Sequence, residues 1–442
     1  MGRRERNWLL GELPTWLAEG LVDAAAAERL RRRYAAPAGG RPWAMIACGV
    51  LGGLLVGAGV ILLVAHNWTG LSRASRTALA FAPLLAVQAL TVLGHVRGWS
   101  GTAWRETTGI LWTCAIGACL ALIAQTYHIP GDAEGFLLSW ALLALPVVWF
   151  GRAAAVLAAY LALALAWASF SQLQGGVALL FWPLVAAVLP VVWHAARRNP
   201  YGHRTVLMLW FVGLACTAAV GVTLEKTMPG LWMAVYAGLF AVLYLAGGYW
   251  GAEAPTFWQR PLHSIGSFGT VVLAYLLTFD WPWRNVGWES FRRDPAFHPA
   301  AAVFDYVLAL ALPLAAIVLL VTAVRRGQAR RIPFGVFPIV AAVAYLLAAG
   351  GGREAEGWVP VLLGNGYLLA LGVAVLAGGI RERRAGTVNA GMLILIGLIL
   401  TRFFDSDASF IAKGCVFILL GALFLGANLL LARRRRRGEA AP

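Results

Sequence analysis

Residues 303–326 read VFDYVLALALPLAAIVLLVTAVRR, a run whose only charge before its closing arginine pair is Asp305, near its start. A helix rises 1.5 Å per residue, so the 22 residues ahead of the arginines span about 33 Å. That is enough to cross a hydrocarbon core of about 30 Å. Thirteen further stretches have the same character, near 43–65, 76–94, 108–124, 136–150, 153–170, 177–193, 205–222, 230–250, 263–279, 334–349, 358–379, 387–400 and 412–432. The expected fold is therefore all-α, a polytopic transmembrane helix bundle of about 14 spans. The stretch 136–150 is short, and only Gly151 and Arg152 separate it from the next, which leaves a re-entrant segment as the alternative.

Charge gives an orientation. Arginine and lysine concentrate on alternate connections: 27 of the 36 fall on one side of the expected bundle and nine on the other. By the positive-inside rule the rich side is cytoplasmic, which places both termini there. Hydrophobic residues at 60% and a mean hydropathy of +0.73 exceed what a soluble domain tolerates. The net charge of +16 reads as topology and as contact with anionic lipid at the cytoplasmic face, not as nucleic-acid binding. Lys226 and Lys413 are the only lysines, and with abundant Ala and Gly this points to a GC-rich bacterial genome and an inner (plasma) membrane. Cys48, Cys114, Cys119, Cys216 and Cys415 all fall in apolar stretches without a CxxC pair, so they read as small buried hydrophobes.

Residues 1–42 are expected to form a small helical hairpin and linker ahead of the bundle at 43–432 and a basic tail at 433–442. Glu12, Pro14 and Glu19 interrupt any signal-like apolar run. Leu9, Leu13 and Leu17 recur every four residues, Gly20 breaks the chain, and Asp23 can cap the second helix. Val22, Ala26, Leu30 and Tyr34 then line one face, opposite Arg29, Arg32 and Arg33. Two short helices bury too little to stand alone, so the hairpin docks on the bundle, on another copy (a homo-oligomer) or on a cytoplasmic partner.

In the first span Gly49, Gly53 and Gly57 stand four apart on one face, the spacing that lets a neighbouring helix approach closely. Pro83, Pro146, Pro183, Pro190, Pro313 and Pro338 fall within spans, where they kink helices or free a carbonyl. No span carries a charged side chain near its middle, which counts against a proton- or sodium-driven pump.

Polar residues gather instead at three outer ends: His66, Asn67 and Trp68 with Arg73 and Arg76; Gln125, Tyr127 and His128 with Asp132; and Arg402 with Asp405 and Asp407. The expected topology puts all three on one side, so they are candidates for an outward-facing ligand-binding vestibule. The plainer alternative is interface-belt aromatics and solvated loop ends. His66 and His128 lack a spacing that fixes two zinc ligands on one face. No GxSxG elbow, phosphate-binding glycine loop or zinc-protease helix appears, so neither metal, cofactor nor catalytic residue is assigned and no enzyme is expected. The aromatic loop 280–302 reads as a segment lying on headgroups, or as a lid over the vestibule.

WLAEGLVDAAAAERLRRRY at 16–34, VAHNWTGLSRASR at 64–76, and LIAQTYHIPGD at 122–132 followed by SWALLALP at 139–146 resemble bacterial membrane proteins of the domain-of-unknown-function family 2157 (DUF2157). The resemblance covers about residues 8–150. NAGMLILIGLILTRFFDSD at 389–407 and GCVFILLGALFLGANLLLARRRRR at 414–437 resemble the C-terminal part of longer members. It implies an integral membrane protein with a cytosolic helical N-terminus, and it brings no substrate or catalytic residue. Two classes of function follow. One is a permease-like or ligand-binding protein for a small neutral or lipidic molecule. The other is a non-catalytic membrane scaffold or sensor acting through the N-terminal helices. No internal repeat is visible, which weakens the carrier reading.

Overall fold

The computed structural model describes residues 3–34, 70–99, 101–224, 230–250, 256–284, 286, 299–350, 358–405 and 418. The expected first span with Gly49, Gly53 and Gly57, the last span apart from residue 418, and the basic tail lie outside the described residues. The chain divides into two compact units, Met1–Arg76 and Thr77–Pro442.

In the first unit, α1 (Arg3–Ala18) and α2 (Ala24–Tyr34) form the expected hairpin. Gly20 turns the chain at φ +69°, a conformation a side chain rarely adopts. Asp23 caps α2, its Oδ1 accepting from Ala26 N–H at 2.5 Å. Leu13 is buried, and Leu9, Ala26 and Leu30 are half-buried.

Among the described residues eleven helices are long and apolar enough to cross a membrane, and Pro261–Leu276 is apolar but shorter. They are α3 (Arg73–Val96), α4 (Thr102–Tyr127), α5 (Ala133–Gly151), α6 (Ala154–Leu173), α7 (Phe181–Arg198), α8 (His203–Thr223), α9 (Leu231–Trp250), α10 (Pro261–Leu276) and α11 (Pro299–Arg325). A single turn, α12 (Ile332–Gly335), leads into α13 (Phe337–Gly350), followed by α14 (Trp358–Arg381) and α15 (Ala385–Asp405). The short stretch 136–150 is the 19-residue α5, about 28 Å long and among the helices long and apolar enough to cross. Two of the six prolines, Pro183 and Pro338, sit in the first turn of α7 and α13, where a missing N–H has no helical partner to lose. Pro83, Pro146, Pro190 and Pro313 lie inside their helices.

Two cores organise the second unit. In the first, Val147 and Val148 of α5, Leu157 and Tyr160 of α6, Val188 of α7 and Met208 of α8 pack together. The second joins Met233 of α9, Leu273 of α10, Phe337 of α13, Leu368 and Leu371 of α14, and Ile394 of α15. Val220 of α8 meets Leu231, Val235 and Leu239 of α9 at the seam, with Leu308 and Leu312 of α11 against them. Two aromatic tips in the first core find backbone carbonyls: Trp140 Nε1 donates to Thr113 O at 2.8 Å, and Tyr160 Oη to Leu184 O at 2.9 Å. A polar group with no partner in hydrocarbon would cost several kcal/mol.

One cap crosses the bundle. Only Arg152, in the left-handed conformation at φ 46°, and Ala153 separate α5 from α6. The N-terminus of α6 is closed by Glu106 of α4, whose two carboxylate oxygens accept from Ala154 N–H at 2.9 Å and Ala155 N–H at 2.7 Å. An anion at this end also meets the positive pole of the helix dipole.

Glycines set the tightest crossings. Gly247 of α9 abuts the backbone of Leu262 and His263, and Gly266 of α10 abuts the backbone of Phe240 and Tyr244. Gly379 of α14 and Gly391 of α15 do the same against Thr387–Val388 and Leu376. A methyl group at any of them would enter neighbouring backbone. Gly266→Ala should therefore destabilise the bundle by about 1–3 kcal/mol, read as a lower melting temperature in detergent. Gly366→Ala, where a methyl meets nothing within 4 Å, should leave it unchanged. Glu106→Gln, which keeps one acceptor and loses the charge, should cost about 1–2 kcal/mol by the same measurement.

Candidate functional site

The described members of the expected vestibule serve separate helix ends. Tyr127, the last residue of α4, places its hydroxyl 3.0 Å from Thr77 Oγ1 of α3. His128 is the left-handed C-cap of α4 at φ 54°, its N–H returning to Ala124 O. Asp132 is the N-cap of α5, accepting from Gly135 N–H at 2.8 Å. Gln125 is exposed. Arg402 donates to Thr278 O and lies 5.5 Å from the centre of the Phe279 ring, while Asn365 Nδ2 donates to Val361 O at 2.7 Å. No described contact joins Arg402 to Tyr127, His128 or Asp132. Arg73 and Arg76 open α3, and Asp405 ends α15. His66, Asn67, Trp68 and Asp407 lie outside the described residues.

Of the aromatic loop, Trp281 is half exposed, but Trp283 is buried in the second core, its Nε1 donating to Leu277 O at 3.2 Å. That residue lies in protein, not on headgroups. The Arg284 side chain bonds Asp280 and holds its carboxyl below the usual carboxylate range.

A cavity opens at the other helix ends, those rich in arginine. It measures about 1210 Å³ and is lined by Arg260, Arg330, Arg331, Arg381 and Arg384, with Glu382 as the one carboxylate among the described residues of its walls. Four pieces of local structure bring these side chains together. Arg260 is the N-cap of α10, where Pro261 at the first position fixes the entry. Arg330 and Arg331 occupy the 3-10 turn Ala329–Arg331 that leads into α12. Arg381 ends α14, and a tight turn through Arg383 at φ 56° then delivers Glu382 and Arg384 before α15 begins. The backbone N–H groups of Glu382 and Arg384 close that turn on Gly378 O and Gly379 O at 2.9 and 3.0 Å.

These arginines do different work. Arg331 is buried and caps α9: its Nη1 donates to Leu245 O at 3.2 Å, its Nη2 to Gly248 O at 2.8 Å, and its guanidinium lies 4.6 Å from the Tyr249 ring centre. A cation at a helix C-terminus satisfies carbonyls that have no helical donor. Arg330 and Arg384 flank Glu382 at 3.6 and 3.5 Å. Burial, and after it the charges of Arg384 and Arg330, pull Arg260 below the ordinary guanidinium value. Like charges therefore face one another across this space. Deeper in, the His263 ring stacks on Tyr244 at 4.4 Å and Tyr244 on Phe334 at 4.6 Å. A smaller crevice of about 400 Å³ shares Arg260 and is walled by Trp193, Tyr201, Leu209 and Leu262.

Sequence reading missed this site, although the alternation of arginine-rich connections was its signal. Residues 14–157 match the family described as "Predicted membrane protein (DUF2157)", the family that the N-terminal motifs resemble. No curated protein and no solved structure matches the chain. The match ends ahead of the cavity residues. Arg331→Leu should remove the side-chain donors to Leu245 O and Gly248 O and lower stability by about 1–3 kcal/mol, measured as thermal unfolding in detergent. Arg381→Leu, at an exposed position, should change it by less than about 0.5 kcal/mol.

Proposed function

We propose that this multi-pass membrane protein is a ligand-binding protein, and that its ligand is an anion held in the arginine-lined cavity. The observation that carries the reading is that, among the described residues, five arginines and Glu382 line a single 1210 Å³ space. Two like charges about 10 Å apart repel by roughly 1–2 kcal/mol at an effective dielectric of 20. Glu382 offsets part of that repulsion, and a bound anion offsets more. Arginine also suits the task chemically, since its planar fork pairs with two oxygens of a carboxylate or phosphate at once. The positive-inside rule supports access from the cytoplasm. This reading keeps the ligand-binding class expected from sequence, with the site at the opposite helix ends and with charge in place of neutrality. It asks for binding and for no chemical step.

The scaffold or sensor reading draws on the N-terminal hairpin, where Leu17 and Leu21 are 46% and 69% exposed. The cavity supports the ligand reading more directly, because it gathers five arginines and Glu382 from four connections around one space among the described residues.

Inorganic phosphate, titrated at constant ionic strength into detergent-purified protein, should raise the melting temperature. The double variant Arg260→Gln/Arg384→Gln should need at least about tenfold more phosphate for the same shift, a loss of roughly 1.4 kcal/mol. An equal shift in the variant, or none in the wild type, rejects the reading.

A further inference from the structure

Resting on the anion reading just given, we infer that the protein moves its anion across the membrane. The cavity is one half of a path that continues along α10, beside α14 and α15, to the opposite helix ends. The first observation is depth. Along α10 the wall runs from Arg260 through His263 to Ser267, seven residues or about 10 Å. Along α14 it runs equally far, from Arg381 through Gly378 to Ala374. Measured from the arginines, that is about a third of a hydrocarbon core of about 30 Å. Gly378 and Gly386 line this space, and a methyl group on either would meet nothing within 4 Å.

The second is a broken helix. α10 has 16 residues, about 24 Å, and ends inside the protein. Leu277 and Thr278 just beyond it are buried, and Gly364 of α14 lies against the Leu277 carbonyl. From Gly364, α14 runs six residues further to its own outer end at Trp358. After α10 the chain turns through Pro282 and Trp283, both buried. The freed carbonyls take side-chain donors instead. Trp283 Nε1 reaches Leu277 O at 3.2 Å, and Asn365 Nδ2 reaches Thr278 O at 3.4 Å, with Arg402 on the same oxygen. Non-helical backbone at membrane depth is tolerated only where protein covers it or a polar cavity borders it. Interrupted helices of this kind build the sites of transporters.

The third lies between the cavity floor and the break. Thr270 stands seven residues past His263, two turns on and along the same face of α10. It is fully buried, and its hydroxyl has no hydrogen-bond partner among the described residues. Other buried threonines of the spans return their hydroxyls to their own helix, as Thr113 does to Gly109 O at 2.9 Å and Thr223 to Ala219 O at 2.8 Å. A hydroxyl left unbonded in the bundle interior is unfavourable. A passing anion supplies the acceptor that Thr270 lacks.

Beyond Thr270 the path is shut by a contact that can open. Tyr275 Oη donates to Ile394 O of α15, and Gly397 lies against the same hydroxyl. α15 thus meets α10 here through a side-chain tip, unlike the backbone contact that Gly266 makes with α9. No span carries a carboxylate near its middle, so the movement is downhill and uncoupled to protons or sodium.

The test uses full-length protein reconstituted into phosphatidylcholine vesicles loaded with inorganic phosphate, with potassium and valinomycin holding the potential. Phosphate should leave severalfold faster than from protein-free vesicles. Thr270→Val, which keeps the shape and removes the hydroxyl, should slow release by about tenfold, the effect of one hydrogen bond lost at the barrier. It should keep the phosphate-induced rise in melting temperature, and Thr270→Ser should release phosphate as the wild type does. Tyr275→Phe should speed release severalfold. Arg260→Gln/Arg384→Gln should lower release and the melting shift together. If phosphate raises the melting temperature but neither the wild type nor Tyr275→Phe releases it faster than protein-free vesicles, the passage is overturned and the anion site stands. If phosphate neither binds nor crosses, both readings fall. Release untouched by Thr270→Val and by the arginine pair marks leakage around the protein and overturns the inference.

Discussion

Hydrocarbon gives apolar helices no hydrophobic reason to meet, so close backbone contact has to hold them, and here glycine supplies it. Gly247 and Gly266 bring α9 and α10 together, and Gly379 and Gly391 join α14 to α15. At each crossing the two backbones touch with no side chain between them to yield to a larger residue. The arginine-lined cavity has walls from both pairs. Its shape follows from where the tight crossings stop and open glycines begin, a change that occurs between adjacent residues, Gly379 and Gly378.

Arginine answers three physical demands in this chain. On alternate connections it sets orientation through an asymmetry of the bilayer surroundings. At Arg331 it satisfies carbonyls of a neighbouring helix, and its loss would remove those donors. Around Arg260, Arg330 and Arg384 it gathers like charge about Glu382 at the mouth of the cavity, the feature on which the proposed anion site rests. Sequence counts treat these arginines alike. Their neighbours distinguish them.

The legible part of the structure was what local pattern dictates. Apolar runs gave the helices, Gly20 and Asp23 gave the hairpin turn and its cap, and the short run before Gly151 gave a helix at the right place though its length was underestimated. The outer polar residues were harder because one residue type serves several ends. Asp132 looks like vestibule chemistry in sequence and is a helix cap three residues from its donor. Glu106 gave no signal, since its partners Ala154 and Ala155 lie 48 and 49 residues away and are themselves featureless. The basic cavity needed tertiary information for the same reason. Arg260, Arg330 and Arg384 stand in three different connections, and only the crossing of α9, α10 and α14 makes them neighbours.

Helix α11 differs from the rest in a way that bears on what surrounds it. Its membrane window has a mean hydropathy of 2.8 and is 11% buried, against 1.7 and 67% for α9. Val307, Leu310, Leu314, Val318 and Val321 stay on its outer face. A segment that apolar and that little covered by its own bundle can face lipid along most of its length, whereas α9 spends most of its surface on the helices packed around it.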